Sequence, residues 1–131
     1  MDIKRLIVHC SDSPNNLDVS AEDIHNWHVN DNGWDGIGYH AVIRRSGEIE
    51  RGRPHYWQGA HVAGYNNGSL GVCLIGRDRF TDEQYAALRE LLTEWHHKHP
   101  KAEVMGHCDL DPNRTCPNFD VKAWWDKEVI V

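Results

Sequence analysis

Three side chains that lie far apart in the sequence have the chemistry of metal ligands. His9 ends a short apolar segment near the start of the chain, and His107 and Cys116 lie in one loop-rich segment, residues 106–120. Zinc accepts imidazole nitrogen and thiolate sulfur, and a catalytic zinc site keeps three protein ligands and leaves the fourth position to water. Two histidines and one cysteine fit that count. Because His9 and His107 are 98 positions apart, spacing alone does not select a metal site.

Other histidines and cysteines compete for the same interpretation. His25 and His28 are three positions apart. A second group, His96, His97 and His99, lies at the predicted end of one helix. Cationic groups in a last helical turn complement the helix dipole, which gives the second group a simple role. We expect a surface role for each of the two groups. The four cysteines are expected to stay as thiols, because a chain without a signal segment remains in the reducing cytosol.

A strand, a helix and a hairpin are predicted in the first half of the chain. Residues 3–10 are a short apolar run that ends in a cluster of turn residues, which predicts a buried strand carrying His9 and Cys10 at its end. Ser20 begins a capping pattern for a helix that ends at Gly33. Ser46 and Gly47 predict a two-residue turn between strands 39–45 and 48–51.

Further elements alternate in type along the second half of the chain. Residues 70–75 are a short apolar run that predicts a central strand, and residues 103–106 predict the last strand. Thr81 and Gln84 form a capping box for a helix that runs to Pro100, and Asp120 caps a final short helix. Interleaved strands and helices without a repeat or linker predict an α/β fold, a mixed central sheet flanked by helices.

Length and charge limit the classes of function. A chain of 131 residues fits one domain, residues 1–131. Its 14 Lys and Arg against 20 Asp and Glu give a net charge of −6, so nucleic acid is not an expected partner. We find no apolar run of membrane-spanning length and no signal-peptide segment, so we expect no membrane insertion and synthesis in the cytoplasm. We also expect a monomer.

Five ordered blocks of sequence resemble one known family. The chain is similar to the type 2 N-acetylmuramoyl-L-alanine amidases, the zinc amidases of the bacteriophage T7 lysozyme kind, which are related to the peptidoglycan recognition proteins. The resemblance extends from Ile7 to Trp125. The blocks are IVHCSDSP (7–14), WH (27–28), GYHAVIRRSGEIERGRP (38–54), GAHVAGYNNGSLGVCLIG (59–76) and GHCDLDPNRTCPNFDV (106–121).

The resemblance implies a role for particular residues of this chain. The family's zinc ligands correspond to His9, His107 and Cys116, with water as the fourth ligand, and its active-site tyrosine corresponds to Tyr39. The basic residue two positions before the ligand cysteine is lysine in the T7 type and Arg114 here. A guanidinium can stabilise an oxyanion but does not exchange a proton as an ammonium does.

The resemblance also implies a substrate and a place of action. His61 lies in the block that borders the family's substrate groove and is expected to bind substrate. The implied reaction is zinc-assisted hydrolysis of the amide bond between N-acetylmuramic acid and L-alanine in bacterial peptidoglycan. A catalytic domain of this kind resembles an endolysin, which reaches the cell wall through a separate pore and lyses the host.

Two alternatives stay open from the sequence. One is a peptidoglycan-binding module without catalysis, since related recognition proteins bind the polymer after losing the ligand cysteine; Cys116 distinguishes this chain from them. The other is a cytosolic amidase that recycles soluble anhydromuropeptides. Cys108, which stands where many relatives carry arginine, is expected to take no part in the site.

Overall fold

One mixed sheet forms the centre of the molecule. The computed structural model describes residues 2–33 and 36–129, so the ends of the predicted 1–131 domain lie outside the described residues. Within these residues the strands are Arg5–Cys10 (β1), Ala41–Ile43 (β2), Ile49–Arg51 (β3), Ser69–Leu74 (β4) and Glu103–Gly106 (β5). Their order in the sheet is β3-β2-β4-β1-β5. Only β3 runs antiparallel to its neighbour, which confirms the predicted mixed sheet.

Helices cover both faces of this sheet. They are Ala21–Asn32 (α1), Asp82–Lys98 (α2) and Val121–Val129 (α3), and a 3-10 helix, His107–Asp109, follows β5. Among the described residues, no helix has both the length and the apolar character that crossing a bilayer requires. The α/β architecture expected from alternating sequence patterns is therefore the architecture observed.

The two longer helices begin at the capping residues that the sequence indicates. Ser20 and Thr81 each accept a hydrogen bond from the backbone three residues later, and each capping box is complete. Gly33 ends α1 in the left-handed conformation, with a φ of 68° that favours glycine. Asp120 accepts from the backbone of Ala123 at the start of α3, at 3.1 Å.

The hydrophobic core has one part on each face of the sheet. On one face, α2 buries Leu88, Leu91 and Trp95 against the central strands β1 and β4. On the other face, Ile24 of α1 packs with Val42 and Cys73. Because successive residues of a strand point to opposite faces, His9 shares the α1 face with Ile7. The buried strands β1 and β4 thus form a rigid base for the side chains at their ends.

The turn between β2 and β3 differs from the prediction. The backbone N–H of Gly47 donates to the carbonyl of Arg44, and the N–H of Arg44 donates to the carbonyl of Glu48. Residues 45–47 are therefore a three-residue loop, in which Gly47 has a φ of 90°. The predicted two-residue turn is wrong because the glycine forms a bulge after the turn rather than its second corner. The hairpin itself is confirmed.

Candidate active site

The carboxyl ends of three parallel strands bring the predicted metal ligands together. His9 lies near the end of β1, which pairs on one side with β4 and on the other with β5. His107 immediately follows β5, so it lies at the same edge of the sheet as His9. Ligand sites in α/β proteins form at this edge because the strand ends and the following loops meet there. Cys116 comes to the edge on the loop that follows the 3-10 helix.

Hydrogen bonds hold the loop that carries Cys116. The backbone N–H of Cys10 donates to Cys116 Sγ at 2.9 Å. The backbone N–H of Cys108 donates to the Cys116 carbonyl, also at 2.9 Å. All four cysteines are free thiols, and Cys108 is not in the group of possible metal ligands.

The donor atoms of the three side chains lie close enough together to hold one metal ion. His9 Nδ1 and His107 Nδ1 are 3.2 Å apart, and the donor atoms of these residues and Cys116 Sγ lie within 4.8 Å of one another. Two nitrogens at the usual zinc distance in a tetrahedron are separated by about 3.3 Å. The donor set therefore fits a Zn²⁺ ion with two imidazoles and one thiolate.

Burial keeps the two imidazoles in the form that binds a metal. Burial lowers the pKa of His9 well below its ordinary value, and the neighbouring His61 and His107 lower it further. Burial and then the Arg114 guanidinium lower the pKa of His107. Neutral imidazole is the ligand form.

The pKa of the Cys116 thiol shifts in the opposite direction. Contact with the Cys10 side chain and then burial raise the pKa of Cys116. In the metal-free protein this thiol therefore keeps its proton, and binding of a metal ion must release it.

Tyr39 stands beside the donor set. Its ring centroid is 5.1 Å from that of His9 and 5.7 Å from that of His28. Burial, followed by the nearby thiols of Cys73 and Cys116, raises the pKa of the Tyr39 phenol well above its ordinary value. The hydroxyl is therefore a hydrogen-bond donor, not a base, near neutral pH.

His61 and Arg114 occupy different depths of the site. His61 Nδ1 lies 2.9 Å from His9 Nε2, and burial lowers the pKa of His61 to about 3. Arg114 lies at the rim, where 67% of its side chain is exposed and its Nε is 3.8 Å from the Asp111 carboxylate.

Two adjoining cavities form a groove across the site. The first, of about 390 Å³, is lined by all six side chains selected from the sequence: His9, Tyr39, His61, His107, Arg114 and Cys116. The second, of about 370 Å³, shares Tyr39, His61, His107 and Arg114 with the first. The groove thus extends beyond the candidate metal ligands.

His28 is a groove residue that the surface interpretation of the sequence missed. Its Nδ1 accepts the backbone N–H of Gly38 at 2.9 Å, and the half-buried ring lines the second cavity beside Tyr39. The surface role expected for His28 is therefore wrong, because the backbone before β2 covers this face of α1. In the sequence, the Trp27-His28 block of the family resemblance was the feature that could have indicated a site role for His28. His40, in contrast, is buried and bonded to the Trp57 carbonyl at 2.8 Å.

This fold and donor set define an α/β protein with a candidate site for metal-dependent hydrolysis. The sequence model of the N-acetylmuramoyl-L-alanine amidase family matches residues 1–119. The chain belongs to this family, as the sequence resemblance predicted, and the predicted enzyme class is that of its relatives.

The relatives match nearly the whole chain. An endolysin of Klebsiella phage KP32 is 41% identical over 99% of this chain and 90% of its own length. The endolysin of Escherichia phage T7 is 37% identical over 96% of this chain and 87% of its own length.

Solved structures have the same fold. The N-acetylmuramoyl-L-alanine amidase LysC from Clostridium intestinale has a TM-score of 0.86 at 28% identity, over 98% of this chain and 86% of that chain. Drosophila PGRP-LB has a TM-score of 0.81 at 27% identity, over 93% of this chain and 78% of that chain. These likenesses confirm the predicted fold class.

Proposed function

We propose that this protein is a zinc-dependent N-acetylmuramoyl-L-alanine amidase that acts as an endolysin. The proposal depends on one observation, the convergence of His9, His107 and Cys116 beside Tyr39 in a groove. Membership of the amidase family and the likeness to phage endolysins over most of their length support it.

His9 Nδ1, His107 Nδ1 and Cys116 Sγ would hold the ion. A bound Zn²⁺ supplies a water of lowered pKa and polarises the scissile carbonyl. The neutral state of the buried imidazoles prepares the site for the ion. The backbone N–H of Cys10 stabilises the thiolate form of Cys116, because it donates to Sγ.

Tyr39 stabilises the charge that develops on the substrate. Its phenol stays protonated and contacts the buried Cys73 thiol. The hydroxyl would leave this thiol to donate a hydrogen bond to the scissile carbonyl oxygen as negative charge develops there. Its ring packs against His9, which fixes the distance between this donor and the metal ligands. The Tyr39 phenol neither gains nor loses a proton in this scheme.

Arg114 acts by charge and orientation. Its exposed guanidinium lies at the rim shared by both cavities, where it can donate to a carbonyl or carboxylate of the substrate. We do not assign it a proton-transfer step, because a guanidinium retains its protons at neutral pH.

The groove suits a substrate that continues on both sides of the cleaved bond. The sugar and the stem peptide extend from the two sides of the scissile amide, and the second cavity adds His28, Val62 and Asn66 to the lining beside the candidate metal ligands. We propose intact cell-wall peptidoglycan as the partner, reached from the cytoplasm through a separate pore, and a monomeric domain spanning residues 1–131 as the active form.

Mass spectrometry of soluble products tests the proposal. Zinc-loaded protein incubated with intact sacculi should release stem peptides with a new N-terminal alanine, and a chelator should abolish the release. Cys116→Ser should lose zinc and activity, whereas Cys108→Ser, which changes a cysteine outside the donor group, should keep both. Full zinc content and full activity in Cys116→Ser would refute the assignment.

The same assay separates the two alternatives. Protein that cosediments with sacculi but releases nothing would identify a binding module, an interpretation that likeness to peptidoglycan recognition proteins allows. Turnover of soluble anhydromuropeptides with negligible cleavage of sacculi would identify a recycling enzyme and defeat the endolysin proposal.

A further inference from the structure

The two ring nitrogens of His9 have different neighbours. Nδ1 faces the candidate metal ligand His107 at 3.2 Å, whereas Nε2 lies 2.9 Å from Nδ1 of His61. The rings of His9 and His61 meet edge to face, with an interplanar angle of 86° and centroids 4.9 Å apart. His61 therefore contacts His9 on the side away from the donor group.

Two glycines make the space that the His61 ring occupies. A Cβ atom at Gly71 would lie 2.7–2.8 Å from three atoms of this ring, and one at Gly59 would lie 2.5 Å from a fourth. Real Cβ atoms do not approach other atoms so closely, so any larger residue at Gly71 would displace the imidazole. The His61 ring thus packs directly against the β4 backbone at Gly71, where only glycine leaves room for it.

A second histidine fixes the wall behind this ring. His40 accepts the backbone N–H of Gly71 at 3.1 Å through Nδ1, and its Nε2 lies 2.8 Å from the Trp57 carbonyl. The rings of His40 and His61 meet edge to face, with centroids 5.9 Å apart. The imidazole of His61 is held between this fixed ring and the glycines.

We propose that His61 is a positioning residue for the metal centre, because it accepts the hydrogen bond that His9 donates from Nε2. That bond places the His9 proton on Nε2 and leaves the Nδ1 lone pair directed toward His107 and Cys116. A metal-bound histidine usually donates its second ring N–H to a carboxylate, a carbonyl or a water. Here a neutral imidazole takes that place and adds no charge. This inference rests on the proposed zinc site.

The same arrangement bears on the substrate-binding role expected for His61. Its Nδ1 is engaged with His9, and its Nε2 is buried. Neither nitrogen is directed into the groove, so His61 contributes to catalysis through His9 and not through a hydrogen bond to sugar or peptide.

Two substitutions at His61 distinguish a role as hydrogen-bond acceptor from a role in filling space. In His61→Asn the side-chain oxygen stands as many bonds from the backbone as the imidazole Nδ1, so the acceptor is kept. His61→Leu fills space but accepts no hydrogen bond. The matched control is His55→Leu, the same change at a half-buried histidine that packs against His40 and His99.

The readout is the zinc dissociation constant, measured by competition with a chromophoric chelator. His61→Leu should bind zinc 10- to 100-fold more weakly than wild type, the usual effect of losing such a partner. His61→Asn should stay within about threefold of wild type, and so should His55→Leu. In zinc-loaded, ¹⁵N-histidine-labelled protein, the slowly exchanging Nε2 proton of His9 should persist in His61→Asn and exchange rapidly in His61→Leu.

Gly71→Ala provides an independent perturbation, because it moves the His61 ring without changing it. Gly71→Ala should weaken zinc binding, and Gly71→Ala combined with His61→Leu should bind no more weakly than His61→Leu alone. Additive losses, zinc binding of wild-type strength in folded His61→Leu, or equal losses in the Asn and Leu variants would overturn the inference. If His61→Leu does not fold, the zinc affinities of His61→Asn and Gly71→Ala test the inference: His61→Asn should bind like wild type and Gly71→Ala more weakly. Wild-type protein that cleaves sacculi without binding zinc would instead refute the proposed zinc site.

Discussion

Removing the Tyr39 hydroxyl tests the proposed chemistry most directly. Tyr39→Phe keeps the aromatic ring that packs 5.1 Å from His9 and 5.7 Å from His28. Only the hydroxyl is lost, so the proposed metal ligands and the shape of the groove stay unchanged. Loss of one preorganised donor to an oxyanion costs about 10²- to 10³-fold in kcat, or roughly 2.7–4 kcal/mol in the transition state. We expect that loss in kcat.

The same geometry predicts the zinc content and stability of Tyr39→Phe and the pH dependence of wild-type activity. Zinc content should equal that of wild type, because Tyr39 is not in the donor group. The free energy of unfolding should change by no more than about 1.5 kcal/mol, the usual net value of one hydrogen bond. Because burial raises the pKa of the phenol, wild-type activity should show no fall between pH 7 and 9 from ionisation of Tyr39.

The assay is steady-state cleavage of a soluble muropeptide, with zinc measured in the same samples. Tyr85→Phe is the matched control, since Tyr85 is also partly buried but lines a different cavity, between α2 and α3. A kcat for Tyr39→Phe within threefold of wild type, with full zinc content, would show that the phenol has no part in the reaction.

Two further predictions concern stability. Burial holds the pKa of His55 at about 4 and that of His61 at about 3, so below pH 6.5 the unfolded chain binds more protons than the folded one. Urea denaturation of metal-free protein should therefore give a smaller free energy of unfolding at pH 4.5 than at pH 7, and equal values would contradict the assigned burial. Leu91→Ala should lower the free energy of unfolding by about 2–5 kcal/mol, because Leu91 is 1% exposed. Leu17→Ala, at a side chain 50% exposed, should stay within about 0.5 kcal/mol of wild type by thermal denaturation.

The sequence predicts those parts of the fold that have a regular pattern. The apolar run before His9 and the short strand before His107 are recognisable locally, and the parallel order of their strands then brings these two residues to one edge. Both long helices begin at capping residues because a capping box is a contact between near neighbours.

The contacts behind the candidate metal ligands have no such local signal. His61 and Cys116 lie on segments without helical or strand periodicity, so their distances from His9 depend on the three-dimensional course of two loops. The family resemblance selects Cys116, but the contact between His9 and His61 follows only from the three-dimensional structure. His28 was missed for the same reason, since the residues covering α1 are ten positions further along the chain.

The position of β1 has a consequence for the order of folding. This strand carries His9 and lies between β4 and β5, which are separated from it by about 60 and 100 residues of chain. Contacts between such distant segments form late, after the entropy of closing long loops has been overcome. A nascent chain therefore carries His9 throughout its synthesis without a complete set of donors. In the proposed zinc site the three donors come together once β5 has paired with β1 and the loop after it has folded, so binding of a metal ion by all three side chains would report completed folding.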